Sequence, residues 1–309
     1  MTSPVVSVLI VSWNVRDYLL RCLASLAAGA GALSYEVIVV DNASQDGTVA
    51  AVRAQFPTVQ VIANSTNRGF TAANNQALAI ARGEFLFLLN PDTEVQPGAI
   101  AELQRFLVAH PDVGIVGPRL LYPDGSLQSS RRRFPTLATL FTESTVVQEY
   151  LPGLAVFRRY TLADRSPEQP QLVDWVVGAA MLVRRQVYEQ IGGLDEGFFM
   201  YAEEIDWCRR AQAAGWNVAY DPAAVVIHHE ARSSEQVVAA RLISFFRSRV
   251  RYTRKYYGAR WAAMLRLWLL TTLAWQWLRE AGKWLVGHKR PLRAARMVVL
   301  RHVLRSGLR

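Results

Sequence analysis

Phe85-Leu86-Phe87-Leu88-Leu89-Asn90-Pro91-Asp92-Thr93 is an unbroken apolar run that ends abruptly in a polar turn. Apolar at every position and only five residues long before Asn90, it reads as a strand buried on both faces, as in a sheet covered by helices. Outward from it, apolar runs alternate with amphipathic stretches through the first 120 residues, the pattern of parallel strands joined by crossover helices. The spacing predicts strands over 5–12, 36–41, 59–63, 85–89 and 113–116. Helices are predicted over 17–28, 48–56, 70–81 and 98–110. Asp46-Gly47-Thr48 supplies a start signal for the second helix, and Pro97 suits the first turn of the fourth. The fold class that follows is α/β, a doubly wound, mostly parallel, Rossmann-like sheet whose ligands collect at the carboxyl ends of its strands.

Further along, Tyr122-Pro123-Asp124-Gly125-Ser126 is a turn that closes a hairpin. Residues 131–171 have no clear period and read as short helices and a loop. A strand is expected over 173–184, a helix over 186–191, a helix over 203–214 stopped by Gly215, and a return to the sheet over 218–227. With 309 residues, 51% of them hydrophobic, the chain can bury one large domain plus an appendage, divided as 1–230 and 231–309. The two parts differ in charge. Residues 231–309 hold 18 Lys or Arg against Glu235 and Glu280, a balance of +16; the total is +10, so the first 230 residues carry −6. That asymmetry calls for an anionic partner, nucleic acid or anionic lipid. Residues 261–278 carry only Arg266 as a charge and are studded with tryptophan, which favours a helix or helical hairpin lying in the headgroup region over a span. No nucleic-acid-binding motif accompanies the basic residues. Cys22 and Cys208 belong to no metal or redox pattern and fit a reducing compartment. The N-terminal stretch lacks a basic n-region and reads as the first core strand of a non-exported protein.

Several strand ends carry chemistry. Asp41, after Val39-Val40, offers a carboxylate to a nucleobase or ribose, although an aspartate there also serves as a cap. No GxGxxG follows a strand and no GxxxxGK[ST] occurs, which disfavours a dinucleotide cofactor and a P-loop. Asp92, with Asn90 close by, is placed to hold Mg²⁺ or Mn²⁺ against substrate phosphates; an Asn-Pro-Asp turn is the plainer alternative. Glu203, Glu204 and Asp206 crowd three carboxylates into the start of a helix, where they complement its dipole or supply a general base. His228-His229 follows an apolar strand, so one imidazole emerges beside Asp92 as a metal ligand, or both decorate the surface.

In order, these pieces resemble the family 2 glycosyltransferases of the GT-A fold, in the bacterial rhamnosyltransferase-like branch. The matching segments are 7–14 (SVLIVSWN), 40–48 (VDNASQDGT), Asn67-Arg68-Gly69-Phe70 with Ala73-Asn74-Asn75, 89–93 (LNPDT), 175–179 (WVVGA), 193–208 (GLDEGFFMYAEEIDWC) and His228-His229. The resemblance implies an inverting transfer from a nucleotide-diphosphate sugar. Ser12, Trp13 and Asp41 would form the nucleotide pocket together with Asn42, Gly69 and Asn74. Asp92 and His228 would be the metal ligands, with Asn90 replacing the first carboxylate of the family's Asp-x-Asp. Glu204 would be the base, one methylene longer than the usual aspartate, with Glu203 and Asp206 behind it. Asp174, Trp175 and Gly178 would line the acceptor site. The implied donor is a dTDP- or UDP-sugar, with dTDP-rhamnose the best match. The implied acceptor is a lipid-linked glycan of cell-wall or surface-polysaccharide synthesis, met on the cytoplasmic face of an anionic membrane through residues 241–309. The rival reading is a catalytically silent nucleotide-sugar-binding protein docked to a membrane assembly.

Overall fold

The computed structural model describes residues 3–230 and 237–309, so 231–236, the start of the expected C-terminal region and the site of Glu235, lie outside the described residues. The chain divides into two compact units, one of residues 1–134, 161–199 and 203–233, the other of 135–160, 200–202 and 234–309. The second unit therefore includes a mid-chain segment that the sequence reading gave to the first domain.

In the first unit, β1 (Val6–Ser12), β2 (Tyr35–Asp41), β3 (Gln60–Ala63) and β4 (Phe85–Leu89) run parallel in the spatial order β3-β2-β1-β4. Beyond β4 lie β11 (Ala180–Arg184), then β6 (Val113–Leu121), β12 (Asn217–His228) and β5 (Thr93–Val95). β11 is antiparallel to both neighbours, β12 is parallel to β6, and β5 is antiparallel to β12. β7 (Leu127–Gln128) adds to β6 across the expected 122–126 turn, and β9 (Gln171–Val173) adds to β12. A small second sheet pairs β8 (Arg131–Arg132) with β10 (Trp175–Val176). The result is a mostly parallel mixed sheet with helices.

Every residue of β1 and β4 is buried, as unbroken apolar runs require. The helices are α1 (Arg16–Ala30), α2 (Thr48–Gln55), α3 (Phe70–Ile80), α4 (Ala99–Ala109), α8 (Arg185–Ile191) and α9 (Glu203–Ala213). α1 buries Leu19, Cys22, Leu23 and Leu26, a three-to-four spacing that turns one stripe to the core. Cys22 and Cys208 are both free and buried, and burial pushes each thiol up to about 12, so they pack as apolar groups.

Two strand expectations need correction. Residues 173–184 do not form one strand, because Asp174 N and Val177 N donate to Arg132 O and Ser130 O, carrying the chain into the small sheet before β11 rejoins the large one. β6 runs five residues past the expected end at 116. Pro118 lacks an amide hydrogen, and the ladder with β12 accommodates it by a register shift between Asp221 and Val225.

The second unit is helical: α5 (Leu137–Thr142), α6 (Val146–Tyr150), α7 (Ala155–Tyr160), α10 (Val238–Tyr257), α11 (Ala259–Leu285) and α12 (Arg290–Ser306). Thr136 and Thr145 cap α5 and α6 through their hydroxyls. The buried Arg249 of α10 donates to Leu140 O and Glu143 O of the α5 segment, and Trp268 of α11 donates to Phe141 O. Glu280 and Arg293 form a buried ion pair between α11 and α12 at 2.8 Å. Residues 261–278 belong to a single helix, α11. Among the described residues, no helix is long and apolar enough to cross a membrane.

Candidate active site

The carboxyl ends of β2, β1 and β4 lie side by side, and antiparallel β11 begins at the same edge, with Ala180 opposite Leu89. At the ends of β1 and β2, Ser12 pairs in register with Asp41, and Asn42 N donates to Ser12 O at 2.8 Å. Asp41 Oδ2 accepts from Ser44 N at 2.9 Å, but Asp41 Oδ1 and Ser12 Oγ are buried without a hydrogen-bond partner. Buried polar atoms left unmatched cost about 1–3 kcal/mol each, so two of them at adjacent strand ends mark a place for a ligand with polar edges. Trp13 is half-buried beside them. Asn14, in a left-handed conformation, accepts from Gln45 N on its side chain and donates its backbone N–H to Ser44 Oγ, which ties the loop after β1 to the loop after β2.

The other three residues expected here are engaged in holding the backbone. Asn42 spends its amide on Gly69 O, Asn64 and Arg68 N, bracing the turn before α3. Gly69 has φ +88°, and a Cβ there would stand 2.6 Å from the Phe199 ring and 2.8 Å from Phe199 O, so only glycine fits. Asn74 is buried and donates to Phe70 O within α3.

At the end of β4, Asp92 Oδ1 and Asn90 Nδ2 each lie 3.4 Å from His228 Nε2, and His229 N donates to Asp92 O. His229 itself turns away to Glu94 at 2.8 Å. Gln128 of β7 was not found from the sequence: its Oε1 lies 2.8 Å from His228 Nδ1, and its Nε2 donates to Glu230. Because Glu230 accepts only, the Gln128 amide is oriented with its oxygen toward His228. In the neutral ring, Nδ1 then carries the proton and Nε2 presents its lone pair toward Asp92. This is the arrangement of a metal-binding imidazole held by an outer partner. Two donor atoms at right angles and 2.1 Å from one ion sit about 3 Å apart, close to the Asp92–His228 separation. Among the described residues, no three His, Cys, Asp or Glu side chains group as a complete metal cage. The residues therefore fit an ion such as Mg²⁺ or Mn²⁺ only where substrate phosphates complete its shell.

Glu203 and Glu204 open α9, after Tyr201 and Ala202, both with positive φ. Glu203 is buried, and burial first and the charge of Glu204 second push its carboxyl well above the usual range. Of the pair, Glu203 is thus the one biased toward its protonated form. Glu204 packs against Gly178, where an added Cβ would meet its side chain at 3.4 Å. Ala179 O in turn accepts from Asn90 N, which connects Glu204's surroundings to the Asp92 turn. Asp206 is fully buried and paired with Arg210 at 2.8 Å, while Arg210 also donates to Ile191 O and Gly193 O. Asp174 accepts from Phe134 N, and Trp175 donates its indole N–H to Arg133 O, so both hold the small sheet. Asp174 also lines an open cavity of about 440 Å³ with Arg133, Arg165, Gln212 and Trp216, a lining that includes none of Asp41, Asp92, Glu204 or His228.

Residues 7–192 match the family described as Glycosyl transferase family 2. The chain belongs to that family. An N-acetylglucosaminyl-diphospho-decaprenol L-rhamnosyltransferase of Mycobacterium tuberculosis is 32% identical over 284 residues, covering 88% of this chain and 91% of that protein. Rhamnosyltransferase WbbL of Escherichia coli is 28% identical over 72% of this chain and 83% of its own. Among solved structures, the mannosyltransferase PcManGT of Pyrobaculum calidifontis, in complex with GDP-Man and Mn²⁺, superposes with a TM-score of 0.56 at 17% identity, covering 100% of this chain and 88% of that one. The likeness extends the family assignment to the fold, a GT-A-like arrangement. The family 2 protein described here is thus a rhamnosyltransferase-like glycosyltransferase.

Proposed function

We propose that this family 2 glycosyltransferase moves L-rhamnose, with inversion, from dTDP-rhamnose to a lipid-linked saccharide in cell-wall or surface-glycan synthesis. Its relative of similar length is named for an L-rhamnosyl transfer to a decaprenyl-diphosphate-linked N-acetylglucosamine, which supports an acceptor of that class. Such an acceptor sits in a bilayer, so the enzyme works peripherally at a membrane surface, in our reading the cytoplasmic face. The observation that carries the proposal is the single sheet edge on which Asp92 and His228 meet at 3.4 Å, with Asp92 following β4, next to β1 with its unmatched Ser12 Oγ and one strand further from β2 with its unmatched Asp41 Oδ1.

In this reading Ser12, Trp13 and Asp41 hold the nucleoside, while Asn42, Gly69 and Asn74 keep the adjoining turn rigid. Asp92 and His228, with Asn90, hold Mg²⁺ or Mn²⁺, whose charge offsets that developing on the departing diphosphate. Glu204 takes the proton of the acceptor hydroxyl as that oxygen bonds to the anomeric carbon. The bond from that carbon to the phosphate oxygen breaks with its electron pair leaving on dTDP, and a single displacement inverts the centre. Glu203, its carboxyl raised well above the usual range by burial and by Glu204, is biased toward its protonated form and leaves that role to Glu204. Asp206 acts through Arg210 to position α9, and Gly178 leaves room beside Glu204 for the acceptor, with Asp174 and Trp175 holding the neighbouring strand.

The test is release of dTDP from dTDP-rhamnose in the presence of a polyprenyl-diphosphate N-acetylglucosamine and Mn²⁺. Glu204→Gln is expected to keep donor binding and lose about 10²–10⁴-fold in turnover, whereas Asp92→Ala weakens both. Donor binding by the wild type without transfer to any acceptor would establish the silent-binding alternative instead.

A further inference from the structure

α11 is apolar on two sides. Ala262, Leu265, Leu269 and Leu273 are buried, yet the opposite arc carries Met264, Leu267, Trp275, Leu278, Leu285 and Val286, each 52–80% exposed. At 100° per residue these six fall within one arc of the helix, and Thr271 and Gly282 fill the positions between them. The stripe runs for roughly 33 Å at 1.5 Å per residue, far more contiguous apolar surface than a solvated helix keeps. Arg279 donates to Glu149 and to the hydroxyl of Tyr150, so the exposed Tyr150 and Leu151 of the α6 segment extend the apolar surface beside the helix.

The charges decide what covers it. The acids described in this unit are engaged internally: Glu143 with Arg249, Glu149 with Arg279 and Glu280 with Arg293. Exposed cations lie at both ends of the stripe, Arg260 at one and Lys289 and Arg290 at the other, and α12 exposes Arg296 and Arg301. A second copy placed face to face on this surface would bring the same cations together, with no described acid of this unit left to meet them. A nucleic acid would answer the charge but leave the aliphatic stripe wet. A bilayer of anionic lipids answers both, with acyl chains for the stripe and headgroups for the cations.

We infer that the outward face of α11 is a membrane-docking surface, with the helix lying in the plane of an anionic leaflet rather than crossing it. The Glu280–Arg293 pair on its inner side belongs to the helical unit and stays with it. The inference extends the reading of a lipid-linked acceptor, but its test measures lipid binding and not transfer, so either can fail alone.

Flotation of the full-length protein with phosphatidylcholine vesicles, with and without phosphatidylglycerol, tests it. Wild type should float with the anionic vesicles only, and the triple variant Leu267→Ser, Trp275→Ser, Leu278→Ser should bind roughly tenfold or more weakly with an unchanged helical circular-dichroism signal. Brominated lipids should quench the wild-type tryptophan fluorescence, and Trp275→Phe should remove much of that quenching. Equal flotation of wild type and triple variant overturns the inference, as does unquenched fluorescence in vesicle-bound wild type. A wild-type dimer in light scattering that the triple variant dissolves, without flotation of either, assigns the face to a second copy.

Discussion

Gln128 bonds Nδ1 of His228, while the ring turns Nε2 toward Asp92. Its amide is held at one end by Glu230 and at the other by the imidazole. Gln128→Leu removes the acceptor for Nδ1–H and frees the ring to take either tautomer. It is expected to weaken Mn²⁺ binding, measured calorimetrically with dTDP present, by roughly 10–100-fold while leaving thermal stability close to wild type. An unchanged Mn²⁺ affinity would remove Gln128 from the site. Glu203 makes a different prediction, through pH. Its folded carboxyl is raised by burial and then by Glu204, so between the ordinary glutamate value of about 4.3 and its folded value the native state holds a proton that the unfolded chain has lost. This contribution to stability is fully present below about pH 4.3 and declines as pH rises, by up to about 1.4 kcal/mol per pH unit. Glu203→Gln lacks that slope, so denaturant unfolding should show its stability relative to wild type increasing from pH 5 to pH 8. Asp92, Asn90 and the acidic triplet were legible because each sits in a short motif at an element end. Gln128 was not: a lone glutamine a hundred positions from its partner leaves no local signal.

Strands and helices in this molecule are tied together by a few buried polar groups placed where elements begin. Glu36 of β2 is the clearest case. It accepts from Ser7 Oγ of β1 at 2.7 Å and from both the backbone and guanidinium of Arg82 ahead of β4. Burial raises its carboxyl, but the Ser7 hydroxyl and the Arg82 donors outweigh that and hold it below the usual range. A depressed folded value stabilises above the unfolded pKa and is lost as pH falls through the folded one. Glu36→Gln should therefore cost about 1–3 kcal/mol near pH 7, measured by urea unfolding, and the difference should shrink toward pH 3. A constant difference across that range would mean the charge is irrelevant. The long periodic elements were read correctly because an amphipathic helix or an all-apolar strand declares itself within a dozen residues. The short β5 and the broken 173–184 segment were not, because their pairing partners, β12 and β8, lie far along the chain.

Across the whole chain, the helical unit draws on two distant stretches of sequence. Arg249 and Trp268 donate to carbonyls of residues 140–143, and Tyr257 donates to Pro135 O. A chain ended at residue 233 would keep the three short helices of 135–160 and lose the long ones that bond the α5 segment, in which Leu140 is buried. Exposed apolar surface of that kind drives association. The truncated chain is expected to be recovered mostly as aggregate, and a soluble monomer by size exclusion with wild-type thermal stability would contradict the division into these units.

Local chemistry was enough to read the alternating apolar and amphipathic segments, the strand-end carboxylates and the charge contrast between the two ends of the chain. Those features depend on neighbours a few residues apart, which a linear reading contains. Three things came from folding alone: the orientation of His228 by Gln128, the burial that raises the Glu203 carboxyl beside Glu204, and the apolar face that α11 keeps on its outer side. Each depends on which distant groups a side chain meets or fails to meet, and therefore on solvent exclusion that no single segment carries.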